Sequence, residues 1–308
     1  MRIYLNPYCD YGKGRKKWQK IEPELQKRFR KFKVEEIQSP DNLFNQIEEA
    51  RKTGERIFIA AGGDGTVNLM VNALLKSSSP KKDIVFGAIG LGSSNDFHKP
   101  FRPETFIEGI PTRMNWRETV SNDVIHIRYR NCDNRISTRY CIINASLGIT
   151  AEANAFYNSR YPFIELIQRF SIETAIIVSA LKTVFTYRNI PCTLTSEKSR
   201  LSRFQLTNLG VIKNPHFAGS LCYNNAVEAD DGRLGVNLCS DMTKLEAIKT
   251  LTRFYMHKFN GLPKTYSWST TQISVLSKQP FALEMDGEVV NASYAEFKLM
   301  PKALRCCP

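Results

Sequence analysis

Ile57-Phe58-Ile59-Ala60-Ala61-Gly62-Gly63-Asp64-Gly65-Thr66 is an apolar run that ends in a glycine loop. A strand buried on both faces reads as a continuous apolar run rather than as alternation, and such strands belong to parallel sheets. Beyond the loop, Val67, Met70, Val71, Leu74 and Leu75 recur at helical spacing. The loop therefore joins the C-terminal end of a buried strand to the N-terminus of a helix, where open α/β sheets bind ligands. Backbone N–H groups and the helix dipole there make an anion site. Glycines let a phosphate approach the backbone closely. A carboxylate at Asp64 is unfavourable beside an anion unless a cation mediates, which points to Mg²⁺. A ligand-free glycine turn capped by Asp64 explains the same string, so the loop alone leaves both readings open.

Its surroundings narrow the choice. Another apolar run, 84–89, leads into Gly90-Leu91-Gly92-Ser93-Ser94-Asn95-Asp96, which offers glycines, hydroxyls and an amide. Two such loops at adjacent strand ends make a cleft. Upstream, Ile3-Tyr4-Leu5 reads as a strand running into Asn6-Pro7. Trp18, Ile21, Leu25, Phe29 and Phe32 follow at helical spacing, with Pro23 expected to kink or restart the helix. A helix is also expected over 41–52. This is a βαβ series. From about residue 120 the period becomes that of half-exposed strands, at 125–129, 140–145, 192–195, 204–212, 234–238, 273–276, 282–285 and 296–299. One helical insertion, 164–187, interrupts them. The pattern predicts an antiparallel sandwich or barrel after a boundary within 114–123.

Composition sets the outer limits. The 308 residues are 42% hydrophobic, the profile of a globular chain with room for two domains. The most apolar stretch, 174–184, is short and flanked by Glu173, with Lys182 inside it, and reads as a buried helix rather than a membrane span. Met1 to Pro7 lacks the features of a secretory signal, so a cytoplasmic location is expected. Eight scattered cysteines lack metal-ligand spacing and read as free, mostly core thiols. The net charge of +13 gathers at Arg15-Lys16-Lys17, at Lys27-Arg28 with Arg30-Lys31 and Lys33, and at Lys81-Lys82. Solvated helix faces explain these as well as attraction to a polyanion does. With no nucleic-acid motif present, no nucleic-acid partner is expected, and an anionic membrane surface is the better partner. The four histidines lack paired spacing and read as surface or packing residues. No Walker A string, third dinucleotide glycine or protein-kinase catalytic loop is present.

Taken in order, these landmarks resemble the diacylglycerol kinase catalytic-domain family in its compact bacterial form. They are Asn6-Pro7 with Gly12-Lys13-Gly14, Gly62-Gly63-Asp64-Gly65-Thr66-Val67-Asn68, Gly92-Ser93-Ser94-Asn95-Asp96-Phe97, Asn214-Pro215-His216-Phe217-Ala218-Gly219 with Asp230-Asp231-Gly232, and Asp286-Gly287-Glu288. Ser93 stands where the family has threonine, and the first loop is two residues longer than usual. The resemblance implies a Rossmann-like, NAD-kinase-like three-layer α/β N-terminal domain, residues 1–120 with a returning tail at about 300–308. An all-β C-terminal sandwich, 121–299, would follow, with ATP in the cleft between the two.

It also implies roles. Gly62, Gly63, Gly65 and Thr66 would contact ATP phosphates, with Gly92, Ser93 and Asn95 supporting the nucleotide and Asn6 and Lys13 reaching toward it. Asp64 and Asp123 would organise the nucleotide's Mg²⁺. Asp286 would be the general base with Glu288 beside it, although Asp286-Gly287 alone reads as a plain hairpin turn. Asp231 would hold a second, structural metal. The implied reaction is phosphorylation of a lipid hydroxyl, such as that of diacylglycerol, by a cytoplasmic enzyme in peripheral contact with the membrane. The competing readings are NAD-kinase-like phosphorylation of a soluble nucleotide and an inactive lipid- or nucleotide-binding regulator. Phe163, Ile164, Leu166, Ile167 and Phe170 read as core more readily than as an acyl-chain pocket. A homodimer is compatible with the chain, which does not set an oligomeric state.

Overall fold

The computed structural model describes the chain except for residues 30, 78–83, 160 and 198 and the side chains of 199–202. The expected basic residues Arg30, Lys81 and Lys82 lie outside the described residues. Two compact units divide the chain: unit 1 is Met1–Asp123 with Lys302–Pro308, and unit 2 is Val124–Pro301.

Unit 1 begins with β1 (Arg2–Leu5), α1 (Lys13–Arg28), β2 (Lys33–Glu36), α2 (Pro40–Lys52), β3 (Ile57–Gly62), α3 (Asp64–Lys76) and β4 (Val85–Gly90). The short strands β5 (Phe106–Ile107) and β6 (Ile110–Arg113) follow. β1 pairs in parallel with both β2 and β3, and β3 with β4, its register running from Ile57↔Val85 to Gly62↔Gly90. That register brings the two glycine loops out of the sheet side by side. Along the other edge of β4, Ala88 and Ile89 pair with antiparallel β6. Nearer its start, Val85 and Phe86 pair in parallel with Arg305 and Cys306 of the returning tail. Ile3, Leu5, Ile59, Ala61 and Ile89 of the sheet meet Trp18, Ile21 and Leu25 of α1 in one core.

The helix does not restart at Pro23. α1 runs through it, and Pro23 lies on the exposed face, where water can satisfy the carbonyl freed one turn earlier. The helix also starts well before the apolar pattern, at Lys13. The basic cluster at its start is exposed except for Lys17.

Unit 2 contains β7 (Val120–Asn131, from its fifth residue), β8 (Ile136–Cys141), β9 (Asn144–Gly148), α4 (Ile149–Tyr157), α5 (Pro162–Phe170) and α6 (Ile172–Thr186). It continues through β10 (Ile190–Ser196), β11 (Ser199–Ile212), β12 (His216–Phe217), β13 (Leu221–Cys222), β14 (Leu234–Ser240) and α7 (Lys244–Tyr255). β15 (Thr265–Thr270), β16 (Gln272–Met285) and β17 (Glu288–Cys306, as far as Pro301) complete it. All of its ladders with a defined register are antiparallel. β9 pairs with both β11 and β16, while β10 also joins β11 to β16, so the sheet closes over its own inner face. Ile127, Leu147, Leu209, Val236, Leu283 and Phe297 fill that interior.

The two expected strands 273–276 and 282–285 are one strand with a register break between Leu276 and Phe281. The expected helical insertion at 164–187 is two helices, α5 and α6, and the sequence reading missed α4 before it and α7. Of the five apolar residues expected in the core of α5, only Ile164 is buried. Phe163, Leu166 and Phe170 are exposed, Phe170 at 84%. Cys141, Cys192, Cys222, Cys239, Cys306 and Cys307 are buried as small apolar side chains. Among the described residues, no helix is long and apolar enough to cross a membrane.

Candidate active site

In unit 1 the two glycine loops touch backbone to backbone. A Cβ on Gly92 would come within 2.5 Å of the Gly63 Cα, and one on Gly62 would overlap the Thr66 side chain. These glycines are thus fixed by packing of loop on loop. Gly65 differs: a Cβ there would meet nothing within 4 Å, and its φ does not lie in the left-handed region. The fold gives no reason for glycine at this first-turn position of α3, but a phosphate lying against the helix N-terminus does.

The residues expected around the phosphates hold the loops in place. The Asn6 Nδ2 donates to the Thr66 hydroxyl at 3.1 Å, and its Oδ1 accepts from the Tyr8 N–H. Asn95, buried and left-handed at φ 50°, accepts from the Gly92 N–H and donates to the Gly90 and Gly92 carbonyls. The Asp64 carboxylate accepts the Phe97 N–H at 3.0 Å, tying the first loop to the second. Ser93 and Lys13 are exposed. Asp123, only 1% exposed, accepts the Lys302 N–H at 2.8 Å and so anchors the tail.

Lys17 was expected to be part of an exposed basic cluster. Instead its ammonium donates to Asp10 at 2.9 Å and to the Leu91 and Gly92 carbonyls at 3.1 and 2.7 Å. It braces the second loop from α1. His98 lies just beyond that loop, buried, with neither ring nitrogen hydrogen-bonded among the described residues. Burial, with the Arg113 charge adding to it, pushes its pKa down to about 3. The Arg113 guanidinium sits 4.6 Å from the centre of the Phe97 ring.

In unit 2, Asp286 is 3% exposed and left-handed at φ 46°. It does not point outward from its turn. Its carboxylate accepts backbone N–H groups from Ile142, Ile143 and Asn144 at 2.9, 3.1 and 2.9 Å, and its own N–H donates to the Asn144 carbonyl. Three backbone N–H bonds fix the orientation of the carboxylate. Glu288 is half exposed and pairs with Arg139 at 3.3 Å.

The sequence reading missed Glu284. This buried carboxylate accepts the Gly287 N–H at 2.6 Å and the Ser146 hydroxyl at 2.8 Å. Asn158, the C-cap of α4, donates to the Gly287 carbonyl at 3.1 Å. A charged residue inside the apolar string Ala282-Leu283-Glu284-Met285 was the available signal, since glutamate is almost never buried unpaired.

Among the described residues, no three His, Cys, Asp or Glu side chains converge on a point where they could hold a metal ion. Asp64 and Asp123 suit an ion carried mainly by a polyphosphate, because Mg²⁺ is commonly bound by one or two carboxylates plus phosphate oxygens. Asp231 does not fit the expected structural metal. Its Oδ1 lies 2.6 Å from the Lys213 ammonium, and the Glu228 and Arg233 N–H groups fill out its carboxylate.

Comparison with known proteins gives the family and the fold. Residues 1–127 match the family description "Diacylglycerol kinase catalytic domain", and residues 145–307 match "YegS C-terminal NAD kinase beta sandwich-like domain". The lipid kinase YegS of Escherichia coli K12 is 24% identical over 270 residues, covering 84% of this chain and 80% of that protein. The probable lipid kinase YegS of Shigella flexneri matches to the same extent. Two solved structures of putative diacylglycerol kinases from Bacillus anthracis share the fold, with TM-scores of 0.74 and 0.73 at 15% and 16% identity. Each covers 99% of this chain and 96% of its own. With paired glycine loops in an α/β unit, a buried aspartate turn in an antiparallel unit and both family descriptions matched in order, the chain belongs to the diacylglycerol kinase catalytic-domain family, in the form that carries the YegS-type C-terminal sandwich.

Proposed function

We propose that this chain is an ATP- and Mg²⁺-dependent lipid kinase that transfers the γ-phosphoryl group of ATP to a hydroxyl of a membrane lipid such as diacylglycerol. The observation that carries the reading is the open space over Gly65 at the N-terminus of α3, beside two loops locked together at Gly63 and Gly92. The family and the names of its YegS relatives supply the lipid.

Phosphoryl transfer needs alignment and charge neutralisation more than covalent help. Gly62, Gly63, Gly65 and Thr66 offer the phosphates a backbone surface with the positive end of the α3 dipole behind it. Asn6, Asn95 and Lys17 keep that surface rigid, which is what preorganised electrostatic stabilisation requires. Lys13 and Ser93 extend from exposed positions toward the nucleotide, with Gly92 beneath Ser93. Asp64 and Asp123 would hold Mg²⁺, which when bound neutralises charge on the phosphate oxygens. Asp286 accepts the proton of the lipid hydroxyl. Its fixed rotamer suits that task, and Glu284 and Asn158 keep its turn in place. Glu288 adds negative charge beside it. The positive net charge favours peripheral contact with anionic headgroups from the cytoplasmic side.

Incubation with labelled ATP and a panel of diacylglycerol, ceramide, a sphingoid base, phosphatidylglycerol and NAD tests the reading. Label is expected in a lipid and to require Mg²⁺. Label in NAD alone would overturn the reading. Asp286→Asn should reduce kcat by at least about 10²-fold while ATP still binds, in line with loss of a general base. The melting temperature must be measured alongside, because the same carboxylate clamps residues 142–144. Near-normal turnover in a folded Asp286→Asn protein removes it as the base.

A further inference from the structure

Lysine is almost never fully buried, yet the Lys213 side chain is 1% exposed. It follows directly on β11, and its backbone N–H donates to the Ile143 carbonyl. The ammonium donates to the Asp231 carboxylate at 2.6 Å and to the Arg233 carbonyl at 2.8 Å. Around it the chain 228–233 makes a tight loop. The Glu228 and Arg233 N–H groups bind the Asp231 carboxylate at 3.3 and 3.0 Å, and Gly232 is left-handed at φ 72°. Glu228, Asp230 and Asp231 crowd three carboxylates into four residues.

A carboxylate and a peptide carbonyl converging from one loop form the all-oxygen donor set that hard cations take. Here the cation in that set is an ammonium reaching in from the neighbouring strand. A divalent ion on the same two oxygens would lie within about 3–4 Å of the ammonium, and like charges that close in a partly buried setting repel strongly. Metal and lysine therefore exclude one another.

We propose that Lys213 is a tethered cation that does the work of a structural metal, so that the 228–233 loop and unit 2 fold without any divalent ion. The divalent requirement of the protein is then confined to the nucleotide. The inference stands apart from the identity of the phosphoryl acceptor, and its test uses no turnover.

The test is thermal unfolding of the nucleotide-free full chain in EDTA and in millimolar Ca²⁺ or Mg²⁺. Wild type should melt at the same temperature in all three. Lys213→Ala should melt lower in EDTA, by on the order of 5 °C, since one partner of a buried ion pair is left alone. Millimolar Ca²⁺ should recover at least half of that loss. Lys213→Ala combined with Asp231→Asn should show no recovery. A Ca²⁺-dependent rise in wild type that Asp231→Asn abolishes overturns the proposal, as does a Lys213→Ala protein that melts like wild type in EDTA. If Lys213→Ala yields no soluble protein, wild type and Asp231→Asn decide. Equal insensitivity to Ca²⁺ supports the tethered cation, and a Ca²⁺ response in wild type alone refutes it.

Discussion

At the scale of single residues, glycines with one sequence signature do two different jobs. Gly92 is glycine because the Gly63 backbone lies against it, whereas Gly65 faces open space. Gly92→Ala must push the loops apart, at a cost of about 1–3 kcal/mol typical of overpacking, and should lower both melting temperature and ATP affinity. Gly65→Ala should melt like wild type or slightly higher, because alanine suits a helix interior better. It should bind ATP at least about tenfold more weakly, a loss equal to about 1.4 kcal/mol. Calorimetric titration of ATP beside a thermal melt separates the two. Equal ATP affinity in Gly65→Ala would refute the phosphate cradle. The glycine loops and the order of the motifs were legible because a strand–loop–helix junction that packs backbone on backbone demands particular residue types at fixed spacing. Lys17 and Glu284 were not, because their roles depend on which distant carbonyls and N–H groups the fold brings to them.

At the scale of elements, legibility followed burial. Ile57–Gly62 and Val85–Gly90 are apolar throughout because both faces are covered, and they could be read almost to the residue. β15 and the early part of β17 carry exposed and polar residues, so their sequence has no strong period. α7 was missed although its start carries the Thr243-Lys244-Leu245-Glu246 capping-box spacing. The Thr243 hydroxyl accepts the Glu246 N–H, and the Glu246 carboxylate accepts the Thr243 N–H at 2.7 Å and the Lys264 ammonium at 2.9 Å. Chiefly through the Thr243 N–H, then through Lys264, these bonds lower the Glu246 pKa from 4.5 to about 2. A carboxyl depressed in the folded state contributes stability that is complete above its unfolded pKa and is lost as pH falls through the folded one. The cap should therefore weaken between about pH 4.5 and 2, and Glu246→Gln should flatten that part of the acid unfolding curve. An acid limb unchanged by the substitution would show that the cap contributes nothing.

At the scale of the whole molecule, the sequence revealed a chain of two characters, with a βαβ series before about residue 120 and half-exposed strands after it. The two compact units are Met1–Asp123 with Lys302–Pro308, and Val124–Pro301. No local pattern announces that a tail should complete a sheet, because its partners are 179 or more residues away. Leu304, Cys306 and Cys307 are buried there, and the Cys307 N–H donates to the Phe86 carbonyl at 2.8 Å. At about 1.5–3 kcal/mol for each large apolar side chain buried, and somewhat less for cysteine, removing residues 302–308 should cost on the order of 5 kcal/mol. Hydrogen exchange should then rise at Val85 and Phe86 while the β10–β11–β16 ladders stay protected. Unchanged exchange at Phe86 would show that unit 1 does not depend on the tail.

The anchoring of Lys302 by Asp123 also sets a clock on biosynthesis. Lys302 lies 179 positions after Asp123, and that length must be translated before the lower edge of β4 meets its partner. At about 5–20 residues per second that interval is roughly 10–40 s. Through that interval the nascent unit 1 leaves the ribosome with Val85 and Phe86 as an open, apolar strand edge, a template for wrong pairing. A cell making this protein must shield that edge with a holding chaperone or slow its crowding on polysomes, and overexpression should deposit it in inclusion bodies chiefly as chains arrested short of their tail.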